Sequence, residues 1–200
     1  MDPIESFEHA DVTVDIFIDT DPRNPRTENE NVATFVCFHK KYKLGDVGHD
    51  YNTSDYNGWA ALKAAIMERN DGALVVPLYL YDHSGITISS TPFDCRWDSG
   101  QIGFAFITKA QIADEWGTDP DALASAEKYL QGEVETYDQY LRNDVYGFVV
   151  RDASAVQSSC WGFYGIEHCR DEAKATALTC GVRRMEQNYA DEQNALAFFN

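Results

Sequence analysis

Basic residues are scarce in this sequence of 200 residues, and acidic residues outnumber them two to one. It holds 16 Lys and Arg against 33 Asp and Glu, which gives a formal net charge of −17 at pH 7. Most of such a surface repels the phosphates of DNA and RNA. The composition therefore argues against nucleic acid as a direct ligand.

Long apolar runs are also missing. A membrane-spanning helix needs roughly 18 consecutive apolar residues, whereas the best candidate is the short stretch 73–81. The N-terminal residues 1–5 are acidic and lack the basic region and apolar stretch of a secretory signal. We expect a soluble protein without membrane association, whose mature chain starts at this terminus.

Cysteine frameworks and catalytic or metal-binding motifs are absent as well. The five cysteines are widely spaced without a CxxC pair, which favours reduced thiols in a cytoplasm over disulfides. The close Cys/His pairs, Cys37 with His39 and His168 with Cys169, lack the spacing of zinc sites. No GxGxxG, P-loop, GxSxG or HExxH motif occurs. We therefore predict neither a metal nor a cofactor.

The sequence does contain enough apolar material for a sizeable core. Hydrophobic residues make up 44% of the chain and aromatic residues 13%. That content excludes a disordered chain, and the length suits one compact domain. We expect a single domain that spans residues 1–200.

Apolar periodicity predicts seven strands and three amphipathic helices in the order ββα-βββ-α-ββ-α. The predicted strands cover residues 12–18, 31–42, 73–81, 86–90, 101–108, 145–151 and 159–165. The predicted helices cover residues 54–72, a segment that begins at Asp119, and a C-terminal segment that includes residues 178–189. We expect a hairpin from the first two strands, a β-meander from the next three, and an α+β fold with a mostly antiparallel sheet.

Two of the predicted helices carry long apolar stripes. In the second helix Asp119 suits the N-cap and Pro120 the first helical position, while Gly132 is a candidate bend. Its stripe consists of Leu123, Ala126, Leu130, Val134, Tyr137 and Leu141. The stripe of the terminal helix consists of Leu178, Val182, Met185 and Tyr189.

One pair of turns combines residues that could form a catalytic site. Cys95 is a thiol nucleophile, His83 a base, and Asp82, Asp94 or Asp98 an orienting carboxylate. In a simple meander, however, the two turns lie at opposite ends of strand 86–90, roughly 17 Å apart at about 3.3 Å per residue. Structured turns are therefore the favoured interpretation, and a small cytoplasmic enzyme using Cys95 and His83 is the alternative.

The acidic residues concentrate in two stretches. Residues 1–30 and residues 114–144 each hold nine acids and two bases, a net charge of −7. Carboxylates grouped on one face would resemble the phosphates of nucleic acid and attract a basic DNA-binding cleft. This is a DNA-mimic hypothesis, and its candidate partner-binding residues are Asp119, Asp121, Glu127, Glu133, Glu135, Asp138 and Asp144, with the N-terminal acids as flanking candidates.

The simpler alternative is that the acidity serves solubility or salt adaptation. Asp is more frequent than Glu, with 20 against 13 residues, and Lys occurs only seven times. That bias also suits an accessory protein hydrated in a salt-rich cytoplasm, since runs of charge are usually solvated faces. The two interpretations stay open at this point.

Several segments add a family resemblance within residues 74–170. The chain reads LYDHSGITIS at residues 80–89 and PFDCRWDSGQIGF at residues 92–104, followed by GEVETYDQY at 132–140, VYGF at 145–148 and CWGFYG at 160–165. These segments resemble a family of small uncharacterised acidic proteins from phages, plasmids and integrated elements. The family has no assigned activity, so the resemblance transfers no catalytic residue.

The resemblance implies a genomic context. Acidic cytoplasmic accessory proteins of mobile elements are often inhibitors of restriction or CRISPR nucleases. By analogy, we expect an anti-defence protein in the host cytoplasm. Its expected partner is a basic nucleic-acid-binding protein, such as a CRISPR effector or a restriction enzyme subunit.

Overall fold

A computed structural model describes residues 2–71, 74–153 and 155–198. These residues form eight strands and five helices, and the α+β class is confirmed. The strands are β1 Glu5–His9, β2 Val12–Ile18, β3 Thr34–Cys37, β4 Leu74–Asp82, β5 Ile86–Ser89, β6 Ser99–Ile107, β7 Val145–Arg151 and β8 Val156–Tyr164. The helices are α1 Pro25–Glu28, α2 Trp59–Arg69, α3 Lys109–Trp116, α4 Ala122–Leu141 and α5 Ile166–Phe198.

The strands and α-helices differ from the prediction by three additions, and a short 3-10 helix, Thr53–Asp55, precedes α2. Strand β1, the single-turn helix α1 and helix α3 were not predicted. Residues 72 and 73, where the first predicted helix ends and the third predicted strand begins, lie outside the described residues. None of the helices described is long and apolar enough to cross a membrane.

Contacts divide the chain into two compact units, each with its own antiparallel sheet. The terminal unit consists of the described residues of Met1–Arg23 and Asn143–Asn200, and the central unit is Asn24–Arg142. Their sheets have the strand orders β1-β2-β7-β8 and β3-β6-β4-β5. One domain over residues 1–200 stays a prediction, because compactness alone does not show whether a unit folds by itself.

The predicted hairpin of the first two strands is wrong. Strand β2 pairs with β1 and β7, whereas β3 pairs with β6 in the other sheet. The partner of β2 is β1, which is reached through a tight turn at Ala10 and Asp11, both with positive φ. Such turns usually contain Asn-Gly or Asp-Gly, so Ala-Asp gave no signal for a hairpin at this point.

Helix α5 covers the sheet of the terminal unit, but not with the predicted stripe. Its buried positions are Cys169, Ala173 and Ala177, which pack against β2 and β7, and Gly181, which lies against the turn at Ala10. The predicted stripe, Leu178, Val182, Met185 and Tyr189, is between 53% and 65% exposed. Small residues allow the helix to approach the backbone closely, since a Cβ added at Gly181 would lie 2.5 Å from the carbonyl oxygen of Ala10.

In the central unit, helices cover both faces of the sheet. Helix α4 packs on one face with Ala126, Leu130, Val134 and Tyr137, and α2 packs on the other with Leu62 and Ile66. Strands buried on both faces are apolar at successive positions, as β6 is from residue 102 to residue 107. This arrangement presents one long side of α4 to solvent.

Helix α4 follows the predicted stripe more closely than α5 does. It begins at Ala122 rather than next to Asp119, with Asp121 as its N-cap, and it runs through Gly132 without a break. Leu123, in the first turn, is exposed. A capping box stabilises the start of the preceding helix α3: the side chains of Thr108 and Gln111 each accept a hydrogen bond from the backbone N–H of the other residue.

The predicted β-meander is also wrong. Strand β5 pairs with β4 as expected, but β6 pairs with the other side of β4, with Tyr81 opposite Ser99. Gly103 permits this position next to β3, because a Cβ at residue 103 would lie 1.9 Å from the carbonyl oxygen of Val36. The loop before β6 therefore returns to the end of β4, where His83 lies.

Candidate functional site

The seven acids predicted to bind a partner fall into two groups. Asp119, Asp121, Glu127 and Glu135 are exposed, which a role in binding requires. Glu127 and Glu135 lie on α4 two turns apart, about 12 Å along the axis at 1.5 Å per residue. Two of the four residues lie on α4 and two lie within three residues before it, and together they are here named the exposed acids of α4. They are the part of the predicted site that faces solvent.

Glu133 points into the protein instead. One carboxylate oxygen, Oε1, accepts from the backbone N–H groups of Val32 at 2.8 Å and Ala33 at 3.1 Å, and the other forms an ion pair with Arg26. The Glu133 side chain is only 8% exposed. It lies three residues after Leu130 and four before Tyr137, so helical spacing places it in the buried face. A role as an exposed binding carboxylate does not fit this position.

Asp138 and Asp144 also differ from the prediction. Asp138 accepts from the backbone N–H of Ile88 at 2.9 Å and pairs with Arg142 at 2.9 Å, so it connects α4 to the edge strand β5. Asp144 follows α4 but belongs to the terminal unit, where it is half-buried. The structure therefore does not group all seven acids on one helix surface.

The N-terminal acids, predicted as flanking candidates, are in part structural. Asp15 is buried and binds Arg151 at 2.9 Å and the Ser6 hydroxyl at 2.7 Å. Glu5 accepts from Arg170 of α5 at 2.7 Å. A carboxylate with such partners stabilises the unit in which it lies and adds little to an exposed charge pattern.

Glu133, the buried member of the seven predicted acids, belongs to a cluster of one arginine and two carboxylates. Arg26 donates to Asp46 at 2.6 Å, to Glu133, and to the carbonyl oxygen of Ala33 at 2.7 Å. Its guanidinium lies 3.8 Å from the centre of the Phe35 ring. Burial by itself lowers the pKa of Arg26, but hydrogen bonds and charges of Asp46 and Glu133 outweigh it and raise the pKa.

A cavity of about 570 Å³ lies beside this cluster on the surface of the central unit. Its walls come from α4, from Trp116 at the end of α3 and from the loop around residues 29–31. Trp116 and Tyr129 form an aromatic pair with ring centres 5.5 Å apart. Glu30, Gly132 and Glu133 also line the cavity, which therefore combines an aromatic wall with carboxylates.

The pKa of Tyr129, which lines this cavity, is raised above its usual value. Burial raises the pKa of its hydroxyl, and the charges of Glu133, Glu115 and Glu30 raise it further against the opposing charge of Arg26. Three carboxylates thus act on one phenol that is itself 41% exposed.

The residues of the alternative catalytic site are closer together than predicted. Because β6 pairs with β4, Asp98 Oδ2 lies 3.2 Å from His83 Nδ1 and 3.8 Å from Cys95 Sγ. The carboxylate therefore contacts both the imidazole and the thiol. Within residues 82–100, all of which are described, no hydrogen bond joins Cys95 directly to His83, which is the contact that a thiol nucleophile and its base require.

The other thiols and possible metal ligands give no further site. Burial raises the pKa of Cys37 to about 12 and that of Cys169 to about 12, so both thiols stay protonated near neutral pH. In the described part of the chain, no group of three or more His, Cys, Asp or Glu residues is arranged to hold a metal ion.

Sequence reasoning missed the cavity, because no local pattern signals it. The sequence makes Gly132 a candidate bend, yet α4 is continuous there. The remaining lining residues come from three separate segments, so their proximity depends on the tertiary fold.

Comparison with known proteins identifies no relative. The chain matches no protein-family model, no curated protein and no solved structure.

Proposed function

We propose that this protein is an anti-defence inhibitor that acts as an acidic mimic of DNA. It would bind the basic nucleic-acid site of a host nuclease complex, such as a CRISPR effector or a restriction enzyme subunit. It would act in the cytoplasm of the host cell, without binding DNA or RNA itself. The family resemblance within residues 74–170 remains part of this proposal, because it supplies the mobile-element context.

The observation that carries the proposal is the solvent-facing set of acids on and before α4. Asp119, Asp121, Glu127 and Glu135 are exposed, and Asp114 and Glu115 of the neighbouring helix α3 are exposed as well. Exposed carboxylates on a molecule of net charge −17 would attract a basic partner and repel nucleic acid.

Fewer acids are available for the proposed interface than the sequence suggested. Glu133 and Asp138 are bound within the central unit, so the interface would rest on the exposed acids of α4 and the two acids of α3. Substitution of the inward-pointing acids tests stability, while substitution of the exposed ones tests recognition.

The experiment is a cleavage assay with a panel of purified restriction endonucleases and CRISPR effectors, each titrated with the protein. The test variant carries Glu127→Lys and Glu135→Lys. The control carries Glu68→Lys and Asp55→Lys, which make the same change in net charge at exposed positions elsewhere in the central unit. We expect inhibition of at least one nuclease class, lost in the test variant and retained in the control.

Salt dependence gives a second readout. Inhibition through opposed charges should weaken at least tenfold between about 0.05 and about 0.5 M salt, because the Debye length falls several-fold over that range. Inhibition of no nuclease in the panel would overturn the proposal. So would an activity that Cys95→Ala abolishes and the α4 variant leaves intact, since that pattern indicates catalysis.

A further inference from the structure

The two sheets have four edge strands, β1, β3, β5 and β8, and carboxylates protect three of them. An edge strand exposes backbone N–H and C=O groups that can pair with another chain, and folded proteins usually block such edges with charged or covering groups. Strand β1 carries Glu5 and Glu8. At β3, Asp46 exchanges two hydrogen bonds of 2.8 Å with Phe35, and at β5 Asp138 accepts from a backbone N–H. A further strand at any of these edges would have to displace or approach a carboxylate.

Strand β8 is the fourth edge strand, and it carries no charge. Its nine residues, Val156–Tyr164, lie within residues 153–166, the longest run of this sequence without Asp, Glu, Lys or Arg. No described strand other than β7 pairs with it, and Val156 and Trp161 are 63% and 49% exposed. A long, uncharged and exposed edge is the kind to which another strand adds.

Two bulges limit the part of β8 that can pair regularly. Gln157 and Gly162 have no opposite residue on β7, where the register shifts, and such bulges twist an edge away from a partner. Between them, residues 158–161 pair without a shift with residues 147–150 of β7. Three of the four residues 158–161 are exposed. The regular segment at the middle of β8 is therefore available for a further strand.

A second copy of this chain is the occupant that this edge fits. Copies of a chain with net charge −17 repel each other over most of their surface, so they can approach closely only where charge is low, and β8 is such a place. A basic partner, in contrast, finds no carboxylate on β8 to bind. The lack of charge on this edge therefore favours self-pairing over the basic proteins that the rest of the surface attracts.

Symmetry fixes the register of such a pairing. When two identical antiparallel strands pair about a two-fold axis, opposite residues point to the same face of the sheet, so one residue must lie opposite its own counterpart. The register that overlaps all of Val156–Tyr164 places Cys160 at this position, since it is the middle residue. Ser159 then lies opposite Trp161 of the second copy.

We propose that β8 pairs antiparallel with β8 of a second copy, with the two Cys160 residues opposite each other, so that two four-stranded sheets join into one continuous sheet. An interface built on one strand is smaller than the about 1,200–2,000 Å² that stable complexes bury, so the dimer forms and dissociates with concentration. This inference goes beyond the proposed function and does not depend on it.

Sedimentation velocity of the full chain over a concentration series measures the association directly. The parent protein should shift from monomer to dimer as its concentration rises. Ser159→Glu places a carboxylate on each side of the two-fold axis and should weaken the dimer about tenfold or more, since like charges brought together at an interface repel. Thr179→Glu, at an exposed position of α5 in the same unit, makes the same change in net charge and should leave the association unchanged. Circular dichroism spectra like that of the parent confirm that both variants fold.

Disulfide trapping tests the register in the parent chain, without a variant that alters the edge. Opposite residues of antiparallel strands have Cα atoms about 4.5–5.5 Å apart, within the range that a disulfide spans. Copper phenanthroline, which accepts the two electrons released by the two thiols, should therefore link two chains through Cys160. The covalent dimer should disappear in Cys160→Ser and persist in Cys95→Ser, which removes another partly exposed thiol.

Salt gives a readout of opposite sign to that of the proposed function. Salt screens the repulsion between two acidic copies, so the dimer should become tighter as salt increases, whereas nuclease inhibition should weaken. The pairing is overturned by a chain that stays monomeric at every concentration, which would leave this edge to a different protein. A dimer that Ser159→Glu leaves unchanged, or a covalent dimer that survives Cys160→Ser, overturns it as well. Absence of nuclease inhibition with the dimer intact would count against the proposed function alone.

Discussion

Helices α4 and α5 both cover a four-stranded antiparallel sheet, yet they bury opposite kinds of residue. Helix α4 buries large side chains such as Leu130 and Tyr137, whereas α5 buries Ala173, Ala177 and Gly181 and exposes its large ones. The apolar stripe in the sequence identifies the buried face of α4 and the exposed face of α5. Hydrophobic spacing thus reports that a helix has two faces, but not always which face is buried.

Helix α5 makes one contact that only a small residue allows. At Gly181 the backbone of α5 approaches Ala10 so closely that a Cβ would clash, and only small residues fit such a contact. Helix α4 buries Leu130, Val134 and Tyr137 beside two alanines. A close approach therefore turns the smallest residues inward, whatever their hydrophobicity.

The two units also use an arginine with two carboxylates in different ways. Arg26 in the central unit is 5% exposed and bridges Asp46 and Glu133. Arg170 in the terminal unit contacts Glu5 and Glu167 in a more solvent-accessible place. Solvent weakens an exposed ion pair, while a buried one leaves an unpaired charge when a partner is removed.

The largest expected effect is the loss of Glu133. Glu133→Ala should lower the free energy of unfolding by about 3–5 kcal/mol, because it leaves the backbone N–H groups of Val32 and Ala33 without their acceptor and removes one of the two carboxylates bound to Arg26. Glu135→Ala, two positions along the same helix and exposed, should change it by less than about 0.5 kcal/mol. Urea unfolding followed by circular dichroism measures the free energy of unfolding of both variants. Equal losses in the two would show that Glu133 contributes no more to stability than the exposed Glu135.

Leucine truncation tests the two stripes directly. Leu130→Ala should cost about 3 kcal/mol, since it leaves a cavity under α4. Leu178→Ala, at an exposed position of α5, should cost less than about 0.5 kcal/mol. A loss above about 2 kcal/mol for Leu178→Ala would contradict the exposure of this stripe and show that it is covered in solution.

The two helical glycines should respond with opposite signs. Gly181→Ala should destabilise by about 1–3 kcal/mol, because its Cβ displaces the backbone at Ala10. Gly132→Ala should stabilise by about 0.5–1 kcal/mol, because it removes a helix-disfavouring residue at an open position. Thermal unfolding of both variants gives the signs, and a stabilised Gly181→Ala would contradict the close approach of α5.

Several elements could be predicted because their signals are local. The bounds of β7 match the predicted strand over residues 145–151, and α4 follows its predicted stripe except at the ends. Strand β1 was not predictable because its turn at Ala10 and Asp11 lacks the usual turn residues. The strand pairings were not predictable because local residue spacing does not depend on which strands pair.

The candidate site was predictable in charge but not in geometry. The sequence located the acids of residues 114–144, yet only contacts with Val32, Ala33 and Arg26 turn Glu133 inward. The separation assigned to Cys95 and His83 depended on a meander and fails because β6 crosses to the far side of β4. Both errors arise from partners that are distant in the chain.

The sequence by itself determined the net charge, the acidic concentration around α4 and the α+β class, because composition and apolar periodicity are properties of local segments. Only the tertiary structure decided which acids face solvent, which face of α5 is buried, and that Trp116, Tyr129 and Gly132 enclose one cavity. The reason is physical: burial and electrostatic environment depend on the distance between groups in space, and folding sets those distances through long-range strand pairing and helix packing.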